Sequence, residues 1–290
     1  MNFNRTHLIG AIAAAGVAVP GVAIAATIEG GPGSERLRGT RAADIINGNG
    51  GNDRIRGLAS DDQLSGGAGN DRVFGGPDDD VISGGPGNDR LSGGSGDDRI
   101  SGDVNGVGDL TSFDRIFGGS GNDTLKGGDA ADRIDGGSGN DSSFGENGND
   151  RMNGATGNDT QDGGAGNDTI FANIGQDVSI GGDGNDVLWA LARSDVHPGP
   201  NGETDTAGDT LDGGAGNDVM RTRDGEADKI TCGDGIDLAL LDQVDVITDA
   251  TPASQNGSCE MVKRAAPKPR VSKIEDDKQR KGDGDERIDS

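Results

Sequence analysis

The sequence predicts an all-β protein in which short parallel strands stack into a solenoid. Its 290 residues include 56 glycines but only 30% hydrophobic and 2% aromatic residues, too few apolar side chains for an ordinary globular core. Aspartates recur every nine residues through most of the chain, and one aliphatic residue usually stands two positions after each of them. Only a regular pattern of this kind allows a chain with a formal net charge of −25 to fold rather than remain disordered.

Residues 1–25 have the organisation of a secretory signal peptide. Arg5 precedes an uncharged apolar run from Leu8 to Ala25, which closes on the small-residue sequence Ala-Ile-Ala. Cleavage there predicts a secreted protein without a membrane span in the mature chain. The alternative is a retained membrane anchor, because the uncharged stretch extends to Ile28 and is just long enough to cross a bilayer. The strongly negative charge disfavours nucleic acid, so no nucleic acid partner is expected.

The repeat region begins after the signal peptide and is interrupted twice. The nine-residue series consists of Asp44, Asp53, Asp62, Asp71, Asp80, Asp89 and Asp98, then Asp114, Asp123, Asp132, Asp141, Asp150, Asp159, Asp168, Asp177 and Asp186, with remnants at Asp209, Asp218, Asp228 and Asp237. The intervals between the blocks are not multiples of nine, so each interval must contain a loop. We place these loops at 102–112 and 190–206. This leaves 26–189 as the main repeat domain and 207–262 as a segment of degenerate repeats that ends in a cap.

Each repeat predicts a tight turn followed by a short strand. Glycines stand five, four and two residues before most of the aspartates, where they permit positive φ and let backbone carbonyls converge on an ion. The residue just before the aspartate, such as Asn70 or Asn122, is of the non-glycine type that best tolerates a left-handed conformation. We therefore expect a six-residue turn and a three-residue strand with one aliphatic side chain pointing inward. Since nine residues make half a coil, residues 18 apart stack on the same sheet, about 4.8 Å apart.

Several copies of the repeat share nearly the same nine residues. They include GGAGNDRVF at 66–74, GGPGNDRLS at 84–92, GGSGDDRIS at 93–101, GGSGNDTLK at 118–126, GGAGNDTIF at 163–171 and GGDGNDVLW at 181–189. These copies resemble the RTX, or haemolysin-type, calcium-binding nonapeptide G-G-x-G-x-D-x-U-x. The resemblance extends over roughly two-thirds of the chain and implies a bacterial parallel β-roll that holds multiple calcium ions between its turns. Carboxylates and carbonyls can supply the six to eight oxygen ligands that calcium takes.

The resemblance implies metal-ligating roles for the matching residues. The implied aspartate ligands are Asp53, Asp62, Asp71, Asp80, Asp89, Asp98, Asp114, Asp123, Asp132, Asp141, Asp150, Asp159, Asp168, Asp177, Asp186 and Asp218. The implied glycine positions are Gly67, Gly69, Gly85, Gly87, Gly94, Gly96, Gly119, Gly121, Gly164, Gly166, Gly182 and Gly184. Departures from the motif, such as Asp78 and Ala130 in place of glycine, predict that several of the turns do not bind calcium.

Three inward positions carry polar instead of aliphatic residues. Ser143, Gln161 and Ser179 are spaced 18 apart, so they fall in one column of one sheet. One interpretation is a locally thin core into which Phe144 and Ile180 turn instead. The other is a polar stripe that a ligand can reach.

The C-terminal part of the chain predicts a cap and a tail. Cys232 and Cys259 suggest one disulfide in an exported chain, and a repeat solenoid needs a cap at its end. Two free or metal-bound thiols are the alternative. The segment 263–290 changes abruptly to Pro, Lys, Arg, Asp and Glu and predicts a disordered charged tail.

The sequence contains no recognisable catalytic constellation. His7 leaves with the signal peptide, His197 lies in a Pro/Gly-rich loop, and no HExxH motif is present, so we do not expect an enzyme. The predicted function is a secreted calcium-binding protein that folds on binding calcium and serves as a structural or adhesive module at the cell surface or matrix. The alternatives are a calcium-dependent secreted hydrolase and a glycan-binding protein. Arg54, Arg72 and Arg90, spaced by 18, form either a solvated face or a surface for an anionic polysaccharide.

Overall fold

The structure is a β-solenoid in which two parallel sheets face each other. This computed structural model describes residues 24–103, 112–190, 208–250 and 257–265, and strands are the only regular secondary structure within those ranges. Nearly all of the predicted signal peptide lies outside the described residues. So do the central parts of both predicted loops and the predicted tail beyond residue 265.

Over the described residues each sheet contains twelve strands, and consecutive strands along the chain alternate between the sheets. The first sheet consists of β1 (Thr27–Glu29), β3 (Ile45–Asn47), β5 (Gln63–Ser65), β7 (Val81–Ser83), β9 (Arg99–Ser101), β11 (Thr124–Asp129), β13 (Ser142–Asn147), β15 (Thr160–Ala165), β17 (Val178–Asp183), β19 (Thr210–Ala215), β21 (Lys229–Thr231) and β23 (Val246–Ile247). The second consists of β2 (Arg36–Arg38), β4 (Arg54–Arg56), β6 (Arg72–Pro77), β8 (Arg90–Ser95), β10 (Arg115–Ser120), β12 (Arg133–Ser138), β14 (Arg151–Thr156), β16 (Thr169–Ile174), β18 (Val187–Trp189), β20 (Val219–Thr222), β22 (Leu238–Leu241) and β24 (Met261–Arg264). The predicted all-β parallel roll is confirmed.

The strand register continues across both interruptions of the repeat. Leu91 pairs with Ile116 across the first interruption, and Ser179 pairs with Leu211 across the second. The aspartate blocks therefore form one uninterrupted stack. Ala190, which the sequence analysis placed in a loop, is instead buried in the core, and its N–H donates to the carbonyl of Arg221.

The strands are longer in the middle of the stack than the sequence predicts. The first five have three residues, as expected, but every strand from β10 to β17 has six because pairing continues into the predicted turn. In β10 and β12, for example, Gly119 pairs with Gly137 as well as Ile116 with Ile134. Since glycine has no Cβ, successive coils approach closely there, and the backbone ladder extends through the glycines.

The core is a single column of inward side chains from each sheet. In most strands one aliphatic residue is buried while the residues on either side of it are partly or fully exposed, as the period predicts. The fully or nearly buried aliphatic residues are Ile28, Leu37, Ile46, Ile55, Leu64, Val73, Ile82, Leu91, Ile100, Ile116, Leu125, Ile134, Met152, Ile170, Leu188, Leu211, Met220, Ile230, Leu241 and Ile247. This narrow core accounts for how so few apolar residues support twelve strands in each sheet.

The polar column at Ser143, Gln161 and Ser179 is buried. All three side chains are at most 2% exposed, and Ser179 Oγ donates to Gln161 Oε1 at 3.3 Å. Phe144 and Ile180 remain outside the core at intermediate exposure. Both earlier expectations are therefore wrong in part: the flanking apolar residues do not turn inward, and no ligand reaches the stripe. The strand period fixes which residues point inward even where they are polar.

The C-terminal cap continues both sheets and contains the predicted disulfide. Cys232 and Cys259 are bonded, with their Cα atoms 5.1 Å apart, so free or metal-bound thiols are excluded. The last strand, β24, pairs with β22. It includes Lys263 and Arg264, which the sequence analysis had assigned to the tail.

Candidate metal centre

The repeated aspartates form two ladders of buried carboxylates, one at the start of each sheet's strands. In each ladder, Oδ1 of an aspartate accepts a hydrogen bond from the backbone N–H of the corresponding residue in the preceding coil. Asp114 N–H donates to Asp132 Oδ1 at 2.8 Å, and Asp132 N–H donates to Asp150 Oδ1 at 2.7 Å. One ladder contains Asp44, Asp62, Asp80, Asp98, Asp123, Asp141, Asp159, Asp177, Asp209, Asp228 and Asp245, and the other Asp53, Asp71, Asp89, Asp114, Asp132, Asp150, Asp168, Asp186, Asp218 and Asp237.

The ladders bring together all the predicted aspartates and add five that were not predicted as ligands. Those five are Asp44, Asp209, Asp228, Asp237 and Asp245. The first four follow the aspartate spacing visible in the sequence, but Asp245 follows no period. At the end of the second ladder, Asp237 N–H donates to Glu260 Oε2 at 2.9 Å.

The second oxygen of most ladder carboxylates is buried without a hydrogen-bond donor. These Oδ2 atoms belong to Asp53, Asp62, Asp71, Asp80, Asp89, Asp98, Asp114, Asp123, Asp132, Asp141, Asp150, Asp159, Asp168, Asp186, Asp218, Asp228 and Asp237. A buried carboxylate oxygen with no donor is strongly unfavourable unless a cation compensates it. The row of such atoms therefore indicates a row of cation positions.

Most of these oxygens, but not those of Asp228 and Asp237, lie beside a glycine of the turn that precedes the aspartate. A Cβ added to Gly136 would lie 2.5 Å from Asp141 Oδ2 and 2.8 Å from the carbonyl oxygen of Gly154 in the next coil. A carboxylate oxygen and a carbonyl oxygen thus line a space that only glycine leaves open. Hard oxygen ligands of this kind suit calcium, so the residues present fit that ion.

The glycines implied as ligand positions are required by the backbone. Gly67 and Gly69 have φ of +98° and +132°, and a Cβ on Gly69 would lie 1.9 Å from the carbonyl oxygen of Gly51. The sequence analysis missed the first glycine of each repeat, such as Gly66, which lies next to the carboxylate oxygen of Asp71.

The asparagines before the ladder aspartates do not adopt the left-handed conformation that the sequence suggested. Positive φ in non-glycine residues occurs at the glycine positions instead, for example at Asp78 and Ala130. The asparagine side chains stack along the solenoid: Asn70 N–H donates to Asn52 Oδ1, and Asn88 N–H donates to Asn70 Oδ1, both at 2.8 Å. Their role is to satisfy backbone donors of the neighbouring coil.

Burial raises the pKa of many ladder aspartates far above the ordinary value, and at most of them neighbouring carboxylates add to the effect. The pKa of Asp132 rises to about 8 and that of Asp89 to about 9, although a backbone N–H donor opposes the rise in both. The pKa of Asp209 reaches about 10 for the same reasons. Without a cation, these carboxyl groups therefore favour the protonated form.

These raised pKa values predict that acid stabilises the calcium-free solenoid. The folded chain binds protons more tightly than the unfolded chain, in which aspartate has a pKa of about 3.9. The stabilisation is complete below about pH 4 and is lost as the pH rises through the folded-state values of about 6 to 10. Far-ultraviolet circular dichroism of calcium-depleted protein is expected to show more β structure at pH 4 than at pH 8, with light scattering as the control for association. More β structure at pH 8 would contradict the prediction.

A cluster of acidic residues also lies among the degenerate C-terminal repeats, and of its three members only Asp228 belongs to a ladder. Asp224, Glu226 and Asp228 each place a carboxylate oxygen within 4.8 Å of the other two. The repeat between Asp218 and Asp228 has one residue more than a regular nine-residue repeat, so Asp209 and Asp228 are 19 residues apart. This extra residue is the only sequence feature that marks the position of the cluster, and it does not indicate that the three side chains lie close together.

Comparison with known families agrees with this geometry. The RTX calcium-binding nonapeptide repeat matches the chain at 29–64, 47–82, 57–91, 74–104, 111–142, 144–161, 157–188 and 204–238. The chain belongs to the RTX family. It is therefore a calcium-binding repeat protein, and its matched repeats include both carboxylate ladders up to Asp237. No curated protein matches the chain.

Among the residues that the structure describes, no helix is long and apolar enough to cross a membrane.

Proposed function

We propose that this RTX protein is a secreted, non-enzymatic structural module whose folding is coupled to the binding of several calcium ions. The observation that carries the proposal is the row of buried, unpartnered carboxylate oxygens in the ladders. Within the described ranges the only ion pair joins Lys126 to Glu146, both exposed, so no basic side chain within those ranges forms an ion pair with a ladder carboxylate. Stacking these carboxylates without cations costs several kcal/mol for each ionised group.

Calcium removes that cost at the positions the geometry provides. At the regular repeats, the unpartnered Oδ2 atom of the ladder aspartate and a backbone carbonyl of the next coil would hold the ion, as at Asp141 and Gly154. The bound ion supplies positive charge, and its binding free energy becomes folding free energy because the unfolded chain has no preformed site. The ladders continue across the insertions, so many such positions follow one another along a single stack.

The extracellular location rests on the N-terminal sequence and on calcium availability. Calcium sites in extracellular modules are often as weak as about 10⁻⁴–10⁻³ M, so a chain of this kind would stay unfolded before export and fold afterwards. A structural or adhesive role suits a rigid stack with two long, exposed sheet faces. Both histidines, His7 and His197, lie outside the described residues, and no catalytic motif accompanies either.

A calcium titration of the mature chain tests the proposal. Residues Ala26–Ser290, with the disulfide intact, are stripped of calcium at pH 7.5 and followed by circular dichroism and hydrodynamic radius. We expect a cooperative gain of β structure with compaction, and no equal response to magnesium, which needs a more regular octahedral site. A chain that stays expanded at several millimolar calcium would overturn the proposal. Expression with the native N terminus, followed by cell fractionation, tests the predicted secretion separately.

A further inference from the structure

The outer face of the second sheet carries a continuous column of arginines. Each lies at the first position of its strand, is exposed, and is paired in register with the arginine of the next coil. The column consists of Arg36, Arg54, Arg72, Arg90, Arg115, Arg133 and Arg151. Since neighbouring strands lie about 4.8 Å apart, these seven arginines extend over about 29 Å. We call this surface the arginine face.

The guanidinium groups of the arginine face have no carboxylate partners within the described ranges, where the only ion pair lies elsewhere. Several of them lie against aromatic rings instead, most of which belong to strands of the same sheet. The contacts are Arg54 with Phe74 (5.7 Å to the ring centroid), Arg90 with Phe117 (4.9 Å), Arg115 with Phe113 (5.1 Å) and Arg151 with Phe171 (4.3 Å). A ring can hold a guanidinium group in place through its face, while the N–H donors of the guanidinium remain available to a ligand. The face is thus preorganised for anions.

The middle of the arginine face forms an open groove. Arg90, Arg115, Arg133 and Arg151 line it together with Phe117 and Asn153, and Asp135 is the only carboxylate among the lining residues. A groove that follows the stacked strands suits an extended chain better than a compact ligand. The arginine face is positively charged, although the net charge of the whole chain is −25.

We propose that the arginine face binds a linear acidic polysaccharide bearing carboxylate or sulfate groups. Arginine pairs with such groups through two parallel N–H···O bonds, and one arginine per coil matches a polymer with regularly repeated charges. Duplex nucleic acid is a poorer match, because each of its strands carries one phosphate for about every 3.4 Å of helix axis, and this dense negative charge would be repelled by a strongly acidic protein. This inference rests on the proposed function, since the column exists only in the folded solenoid.

Binding to sulfated polysaccharide fragments of increasing length tests the proposal. The probe is chondroitin sulfate, with neutral dextran as the blank, measured by calorimetry in calcium. The face variant is R115T/R133T/R151T, and threonine already occupies the same strand position at Thr124, Thr160 and Thr169. The matched control, R41S/R99T/K229T, removes three exposed positive charges away from the face. We expect affinity to rise with fragment length. The face variant should lose at least tenfold in affinity and the control less than twofold.

The outcomes distinguish this proposal from the proposed function. If the wild-type chain folds with calcium but does not bind chondroitin sulfate, the polysaccharide assignment is wrong while calcium-coupled folding stands. Equal losses in the two triple variants would overturn the assignment to the arginine face. Equally tight, face-dependent binding of duplex DNA would overturn the polysaccharide class. Circular dichroism of each variant in calcium identifies any loss caused by misfolding, and a wild-type chain that does not fold with calcium would overturn both proposals.

Discussion

Asp132→Asn is expected to shift the stability of the solenoid in opposite directions with and without calcium. The Oδ2 atom of Asp132 is buried without a donor, next to Gly127 and the carbonyl oxygen of Gly145. Without calcium at neutral pH, the amide removes the cost of protonating the buried carboxyl group and brings donors close to that carbonyl, which stabilises the fold by about 1–3 kcal/mol. With calcium, the same change removes a charged ligand and weakens the adjacent site.

Two titrations measure the effect of Asp132→Asn. In calcium-depleted buffer, the pH at which β structure is lost should move upward, because one raised pKa no longer opposes folding at neutral pH. In the calcium titration at pH 7.5, the midpoint should move to higher concentration. Asp135→Asn makes the same charge change three residues away, at a position outside the ladder, and should leave both midpoints nearly unchanged. Similar shifts in the two variants would argue against a ligand role for Asp132.

Removal of the Cys232–Cys259 disulfide is expected to destabilise the C-terminal coils selectively. The bond closes a loop with a sequence separation of 27, which corresponds to roughly 3–4 kcal/mol of chain entropy in the unfolded state. Glu260, which accepts the last hydrogen bond of its ladder, directly follows Cys259 in the chain. Loss of the bond therefore releases both the cap and the acceptor at the end of the stack.

Hydrogen exchange of C232A/C259A in saturating calcium measures this loss. Protection should fall in β21 to β24 and persist in β10 to β13, since each coil of a solenoid contacts mainly its neighbours. Wild-type protein treated with a thiol reductant serves as the matched control and should reproduce the pattern. Uniform loss of protection along the chain would instead show that the cap nucleates the whole solenoid.

The strand pattern and the aspartate ladders could be predicted because both follow directly from the nine-residue period. A residue such as Ile134 must point inward if Ile116 does, and Asp132 must stack on Asp114 for the same reason. The inward column also holds Gln161 in the core although its side chain is polar. At Gln161 the position in the nine-residue repeat, and not the polarity of the side chain, decides that the residue points inward.

The features that could not be predicted depend on contacts without a period. The number of residues in an insertion does not show that Asp98 and Asp123 are neighbours in one ladder. Asp245 and Glu260 join the ladders through irregular turns of the cap, and Asp224 meets Asp228 only because the intervening turn folds back. The role of Asn70 was misjudged because its conformation was considered alone, whereas its side chain serves the neighbouring coil.

The hydrogen bonds of both ladders run in one direction, and this gives the solenoid a head and a tail. Every carboxylate accepts from the coil before it, so the terminal acceptor Glu260 lies at the C-terminal side, fastened by the disulfide. At the N-terminal side, the first ladder begins at Ala26, whose backbone N–H donates to Asp44 Oδ1 but whose side chain has no carboxylate to accept a further bond. Whole coils can thus be gained or lost at the N-terminal side without any change to Glu260 and the disulfide at the C-terminal side. Duplication of 18-residue units would then lengthen the solenoid in steps of about 4.8 Å. The length of the solenoid can therefore change in evolution without a change in the C-terminal cap.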